Sequence, residues 1–198
     1  MPSSDLGVFL GAAVRNPKLI GAVAPSSARL STRLAVVVPS DRPVVVVELG
    51  PGTGAVTDAI ARRLPEGSRH VAIELDPELA DRVRATRPDV EVVTGDAADL
   101  AEILRGLGVG PVDAVVSGLP WSLIPPADQR RALTGVAGAL APGAAFTTFA
   151  YLHALRMKGA RLLRALLHDT FDEVVVSRSV WRNAPPALTY VCRRPRTG

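Results

Sequence analysis

Four times between residues 44 and 140, a short β-branched run is followed by a stretch with helical spacing. The pairs are Val44–Leu49 with Thr53–Leu64, His70–Leu75 with Pro77–Arg87, Val90–Val93 with Ala98–Leu107, and Val112–Ser117 with Pro126–Leu140. Unbroken valine runs suit strands covered on both faces, and strands separated by helices pair in parallel. This predicts a doubly wound α/β domain. Ala144–Tyr151 reads as a fifth strand and Gly159–His168 as a fifth helix. Phe171–Val180 and Ala187–Arg193 follow as strands whose connection, residues 181–186, is too short for a crossover, so these two should be antiparallel.

Length sets the scale. A chain of 198 residues is about one domain, and its 47% hydrophobic content is enough for a core without disulfide or metal staples. The single cysteine, Cys192, excludes a disulfide framework, cannot form a zinc site alone, and reads as a small buried hydrophobe. No metal is expected. Aromatic residues make up 4%, which argues against an extended base-stacking platform. The net charge of +4 comes almost wholly from arginine, since Lys18 and Lys158 are the only lysines; it suits contact with phosphate on a lipid or a nucleotide.

No apolar run approaches the ~18 residues of a spanning helix. The apolar start, Gly7–Val14, has no basic residue before it, so a secretory signal is not expected and a cytoplasmic location is. Leu6–Val14 and Leu30–Val38 have helical spacing, so residues 1–42 read as a helical N-terminal cap and residues 43–198 as the main domain.

The chemistry concentrates where the first strand should become the first helix, at Glu48-Leu49-Gly50-Pro51-Gly52-Thr53-Gly54. Glycines let the backbone turn sharply and approach a ligand, and the helix that follows offers free amides to a carboxylate. Three glycines at alternate positions depart from the GxGxxG pattern that seats a pyrophosphate. An acid at Glu48 would repel a pyrophosphate but suits a cationic ligand. Glu74 ends the second strand about twenty residues on, where an acid can grip ribose hydroxyls. Gly95-Asp96-Ala97 follows the third strand, within reach of an adenine amino group.

These residues resemble the motifs of class I S-adenosylmethionine-dependent methyltransferases from about residue 43 to the end. The resemblance implies a Rossmann-like, seven-stranded sheet with an antiparallel last strand and S-adenosylmethionine as cofactor. It places the methionine part over Gly50, Gly52 and Gly54, the ribose on Glu74, and the adenine by Asp96 and Ala97. Glu48 and Ser117 complete the expected cofactor set. The implied reaction is in-line transfer of a methyl group from a sulfonium to a nucleophile in a water-poor site.

Ser117-Gly118-Leu119-Pro120-Trp121 closes the fourth strand, where the acceptor must meet the methyl group. Base-methylating relatives carry Asn or Asp before a Pro-Tyr step, and Gly118 stands in that place here. Nucleic acid is therefore not the expected partner. Asn16-Pro17-Lys18, Ile20 through Ser27, and Val180-Trp181-Arg182-Asn183-Ala184-Pro185-Pro186 instead look like the bacterial phospholipid N-methyltransferases, which methylate phosphatidylethanolamine toward phosphatidylcholine. Tyr151-Leu152-His153-Ala154 departs from that family's usual tyrosine-glycine step.

A phospholipid or other small amine acceptor is thus implied, with peripheral contact at an anionic membrane on the inner face of the cell membrane. Leu6–Val14 with Arg15 and Lys18 could lie on a bilayer, or pack as an ordinary amphipathic helix. The stretch from Tyr151 to His168, with Arg156, Lys158, Arg161 and Arg164, reads more readily as a helix covering the sheet. Tyr151 is the first candidate to meet a head group or take its proton, against simple sheet packing. Tyr190, His153 and water are the other candidate bases. Trp121 either walls the site or plugs the core, and Asn183 either shapes the acceptor lip or makes a turn. Ser26 and Ser27 cap a helix or contact the cofactor. A soluble amine or hydroxyl, or an adenine of ribosomal RNA, are the alternative acceptors, and a non-catalytic cofactor-binding module is a further one.

Overall fold

The computed structural model describes residues 26–196. Seven strands form one sheet: β1 Val45–Leu49, β2 Arg69–Glu74, β3 Glu91–Thr94, β4 Val112–Ser117, β5 Leu140–Tyr151, β6 Phe171–Val176 and β7 Ala187–Pro195. Their spatial order is β3-β2-β1-β4-β5-β7-β6. The first five are parallel, and β7 runs antiparallel to both neighbours. This is the expected α/β architecture. The order reverses between β1 and β4, so their carboxyl ends diverge into a crevice where ligands bind in such sheets.

Among the described residues, six helices cover the sheet: α1 Ala28–Leu34, α2 Ala55–Ala61, α3 Pro77–Thr86, α4 Leu100–Gly106, α5 Pro126–Ala139 and α6 Lys158–Thr170. One face of the sheet packs Val47, Leu49, Val115 and Phe146 against α4, α5 and α6. The other packs Val46, Ala114 and Val116 against α1 and α2. Leu30 and Leu34 of α1 are fully buried there, worth about 1.5–3 kcal/mol each. Residues 26–42 are thus an integral layer of the domain. The expected helix at Leu6–Val14, with Arg15 and Lys18, lies outside the described residues.

Several boundaries shift for local reasons. Helix α2 starts at Ala55, because Gly54 has φ 88°, a left-handed conformation that cannot sit inside a helix. Strand β5 begins at Leu140, directly after α5, and bulges between the Val112 and Ala114 pairings, with Gly143 at φ 81° absorbing the irregularity. Strand β6 stops at Val176, where the Ser177 hydroxyl takes the amide of Thr189; Val180 returns only as a single bridge to Ala187. Helix α6 buries Ala160, Leu163, Leu166 and Leu167, so it covers the sheet as its leucine pattern predicts.

Candidate active site

The glycine turn is shaped by backbone conformation. Gly50 and Gly52 have φ of 71° and 54°, which side-chain-bearing residues rarely adopt. A Cβ at Gly50 would also stand 2.6 Å from Leu119 Cδ2, so the turn after β1 and the loop after β4 touch. Glu74 at the end of β2 aims its carboxylate back at this turn. Oε2 accepts from the Gly52 amide at 2.9 Å and Oε1 from the Asp76 amide at 3.1 Å. Burial raises the Glu74 pKa above its ordinary value, and those amide bonds oppose the rise.

Beside the turn lies a narrow crevice lined by Ile73, Leu75, Asp96, Ala97, Leu119 and Ile124. Its walls are mostly aliphatic with carboxylates at the rim, and Asp128 in the first turn of α5 adds a second acid to Asp96. Asp96 also accepts from the Ala98 amide at 2.8 Å, which fixes the loop after β3. An apolar slot for a flat ring, a buried carboxylate for hydroxyls and a partly buried glycine turn beside them fit an adenosyl-amino-acid ligand. Gly50, Gly52, Gly54, Glu74, Asp96 and Ala97 therefore come together at one end of the sheet. Leu75, Leu119, Ile124 and Asp128 join them; their only sequence signal was position, just after a strand or at a helix start.

Four other expected site residues are buried. Glu48 lies on the opposite side of the sheet from the crevice's aliphatic wall and is fully buried. Its Oε1 accepts from the Thr57 hydroxyl at 3.2 Å, and Oε2 stands 3.2 Å from His70 Nε2 without hydrogen-bond alignment. Glu48 therefore anchors α2 beneath the glycine turn, and it does not line the slot beside Ile73 and Leu75. Ser117 is also fully buried, accepting from Trp121 Nε1 at 3.0 Å and the Leu119 amide at 3.3 Å. Trp121 is 1% exposed and meets Phe146 edge-on, so most of its ring plugs the core.

Asn183, the fourth, turns inward: its side chain accepts from the Ser27 amide at 2.8 Å and donates to the Pro185 carbonyl at 2.7 Å. Ser27 itself caps α1 through its hydroxyl, accepting from Leu30, as one of the two sequence readings had it.

The loop after β4 is secured from behind by Gln129, which no sequence pattern singled out. This fully buried side chain donates to the carbonyls of Trp121 at 2.8 Å, Ile124 at 3.0 Å and Gly159 at 3.4 Å. Gly118 allows the loop to approach the glycine turn: a Cβ there would stand 2.7 Å from the Gly50 carbonyl oxygen. An Asn or Asp has no room at that position.

Tyr151 ends β5 beside a small cavity that Trp121, Phe149, Ala154 and Leu163 also line. Its ring stacks on His153 at 5.7 Å and meets Phe149 edge-on at 5.1 Å. Burial pushes its phenol pKa up, so the group is protonated at neutral pH and suited to donating a hydrogen bond rather than taking a proton. Tyr190 pairs with Thr148, three residues inside the sheet, and belongs to the core. Cys192 is buried as expected, its thiol pushed up to about 12.

Residues 46–143 match the family described as "Methyltransferase domain". The chain is 36% identical over 192 residues to the ornithine lipid N-methyltransferase of Singulisphaera acidiphila, covering 96% of each protein. It is 37% identical to the ribosomal RNA small subunit methyltransferase A of Kineococcus radiotolerans, over 57% of this chain and 38% of that protein. The fold matches an O-methyltransferase from Bacillus cereus in complex with SAH (TM-score 0.66, 18% identity, 98% of this chain and 91% of that one). It also matches the O-methyltransferase TomG from Streptomyces achromogenes in complex with SAM (TM-score 0.67, 19% identity, 95% and 89%). With this sheet order, glycine turn and full-length relative, the chain belongs to the class I S-adenosylmethionine-dependent methyltransferases.

Proposed function

We propose that the protein methylates the amine nitrogen of a membrane lipid. The observation that carries this is the reach of the likeness to the ornithine lipid enzyme. It spans 96% of both chains and so includes the segments on either side of the cofactor motifs. The likeness to the ribosomal RNA enzyme covers little more than half of this chain. The space at Gly118, which excludes the amide or acid expected of base-methylating relatives, points the same way. Phosphatidylethanolamine and ornithine lipid both offer a primary amine; the relative makes ornithine lipid the first acceptor to test.

In this reading the Gly50–Gly54 turn holds the methionine part of the cofactor, Glu74 the ribose, and the slot by Asp96 and Ala97 the adenine. Bound S-adenosylmethionine supplies an electrophilic methyl group on sulfur. The lipid amine would first give its ammonium proton to water, and the fold would hold the freed lone pair toward that methyl group, with sulfur as the leaving atom. The protein contributes alignment and exclusion of solvent. Tyr151, protonated, orients the head group from the end of β5, and Arg15 and Lys18 meet lipid phosphates.

The test is transfer of labelled methyl from S-adenosylmethionine to mixed micelles of ornithine lipid or phosphatidylethanolamine, with ethanolamine and ribosomal RNA alongside. Label in a lipid fraction supports the reading, and the preferred lipid names the acceptor. Label confined to ethanolamine or to RNA overturns it.

A further inference from the structure

The exposed side of α1 and the turn that follows it carry a row of surface residues that the cofactor crevice does not use. Arg29, Arg33 and Val36 project there, and with the 179–182 segment they line a broad groove. Across it, Trp181 is 73% exposed and Val36 is 54% exposed. Tryptophan beside cations is the composition of a membrane interface. Arg182 borders the groove, and Arg178 stands next to it with its carbonyl accepting from Arg33 Nη1 at 2.7 Å. Among the described residues, no carboxylate lines this groove.

Its placement matters as much as its composition. Ala187 pairs with Tyr151, and the Leu152 amide donates to the Pro186 carbonyl. The segment that carries Trp181 therefore emerges beside the end of β5 where Tyr151 sits. On the other side, the Ser27–Asn183 hydrogen bond brings the start of α1 to the same segment. A flat anionic surface resting on this groove would lie alongside the end of β5, where Tyr151 sits.

We infer that the α1–Trp181 groove is the docking surface for an anionic phospholipid bilayer. Trp181 and Val36 enter the head-group zone, and Arg29, Arg33, Arg178 and Arg182 meet the phosphates. This rests on the lipid-acceptor reading for its purpose, but binding is measurable without turnover. The whole protein is mixed with vesicles of phosphatidylcholine containing phosphatidylglycerol, and with vesicles of phosphatidylcholine alone.

The chain has two tryptophans, and Trp121 is already buried, so a fluorescence change on binding reports Trp181. The expected result is binding to the anionic vesicles with a blue shift that is lost in Trp181→Phe. Arg29→Gln/Arg182→Gln should weaken that binding roughly 25-fold, about five-fold for each arginine. Methyl transfer to acceptor dispersed in detergent should stay unchanged in these variants. Binding by the variants equal to wild type, no binding by wild type, or an unshifted Trp181 emission would overturn the docking surface. So would concentration-dependent self-association abolished by Trp181→Ala, or occupation of the groove by residues 1–25 shown by cross-linking. The lipid-acceptor reading fails separately, through absence of transfer to any dispersed lipid while vesicle binding persists.

Discussion

The backbone amide of Ser27 donates to Oδ1 of Asn183 at 2.8 Å, across 156 positions of sequence. Through it the first residue before α1 is fixed to the loop that leads into β7, beside the end of β5. Asn183 is 4% exposed and spends both ends of its amide on backbone groups, so its part is to hold two chain segments in register.

Asn183→Ala should therefore destabilise the fold by about 1–3 kcal/mol, since it leaves the Ser27 amide and the Pro185 carbonyl without their partner. Denaturant unfolding checks the loss. If the two segments also frame the acceptor entrance, KM for the acceptor should rise more than kcat falls.

Glu74 should govern cofactor affinity and its dependence on pH. Its pKa is raised by burial, so the folded protein holds this proton more tightly than the unfolded chain. The protonated form is the stabilised one below the ordinary carboxyl range, and that stabilisation is lost as pH rises through the folded pKa. Cofactor hydroxyls need the ionised form as acceptor. Affinity should therefore fall as pH drops toward the raised pKa. Calorimetric titration should show this slope in wild type, and Glu74→Gln should bind weakly with the slope removed.

How much of this was legible from sequence depends on the range of the forces involved. The glycine turn, Glu74 and Asp96 were readable because each follows a strand run directly, and the strand–turn–helix order alone fixes which end of the sheet they occupy. The surroundings of Glu48 were not, because its position as a strand-end acid does not reveal that Thr57 of α2 and His70 of β2 each come within 3.2 Å of its carboxylate. Ser117 and Trp121 satisfy each other four residues apart, a bond that no periodicity announces. The Ser27–Asn183 contact needs the whole sheet in place. Gln129 sits on an otherwise ordinary helix, and its role appears only once three carbonyls converge on it.

Gln129→Leu keeps the volume and removes the donor to the Trp121, Ile124 and Gly159 carbonyls. The expected cost is about 1–3 kcal/mol for buried carbonyls left unpaired. Because Ile124 lines the crevice, the same variant should bind cofactor less tightly, which calorimetry would show beside the lowered Tm.

Gly118→Ala places a methyl group 2.7 Å from the Gly50 carbonyl oxygen, a backbone atom that moves only with the glycine turn. Overpacking of this kind costs about 1–3 kcal/mol. Cofactor affinity should drop roughly tenfold or more as the turn is displaced. Affinity unchanged from wild type would show that the two loops are not in contact as described.

The most direct measurement is mass spectrometry of the lipid after incubation of purified protein with S-adenosylmethionine and ornithine lipid micelles, followed by fragmentation to locate any added methyl group. The expected result is a mass gain carried by the amine-bearing fragment, absent without cofactor and strongly reduced in Glu74→Gln. Unmodified lipid in the presence of protein that demonstrably binds the cofactor, with phosphatidylethanolamine equally unmodified, would contradict methylation of a lipid amine.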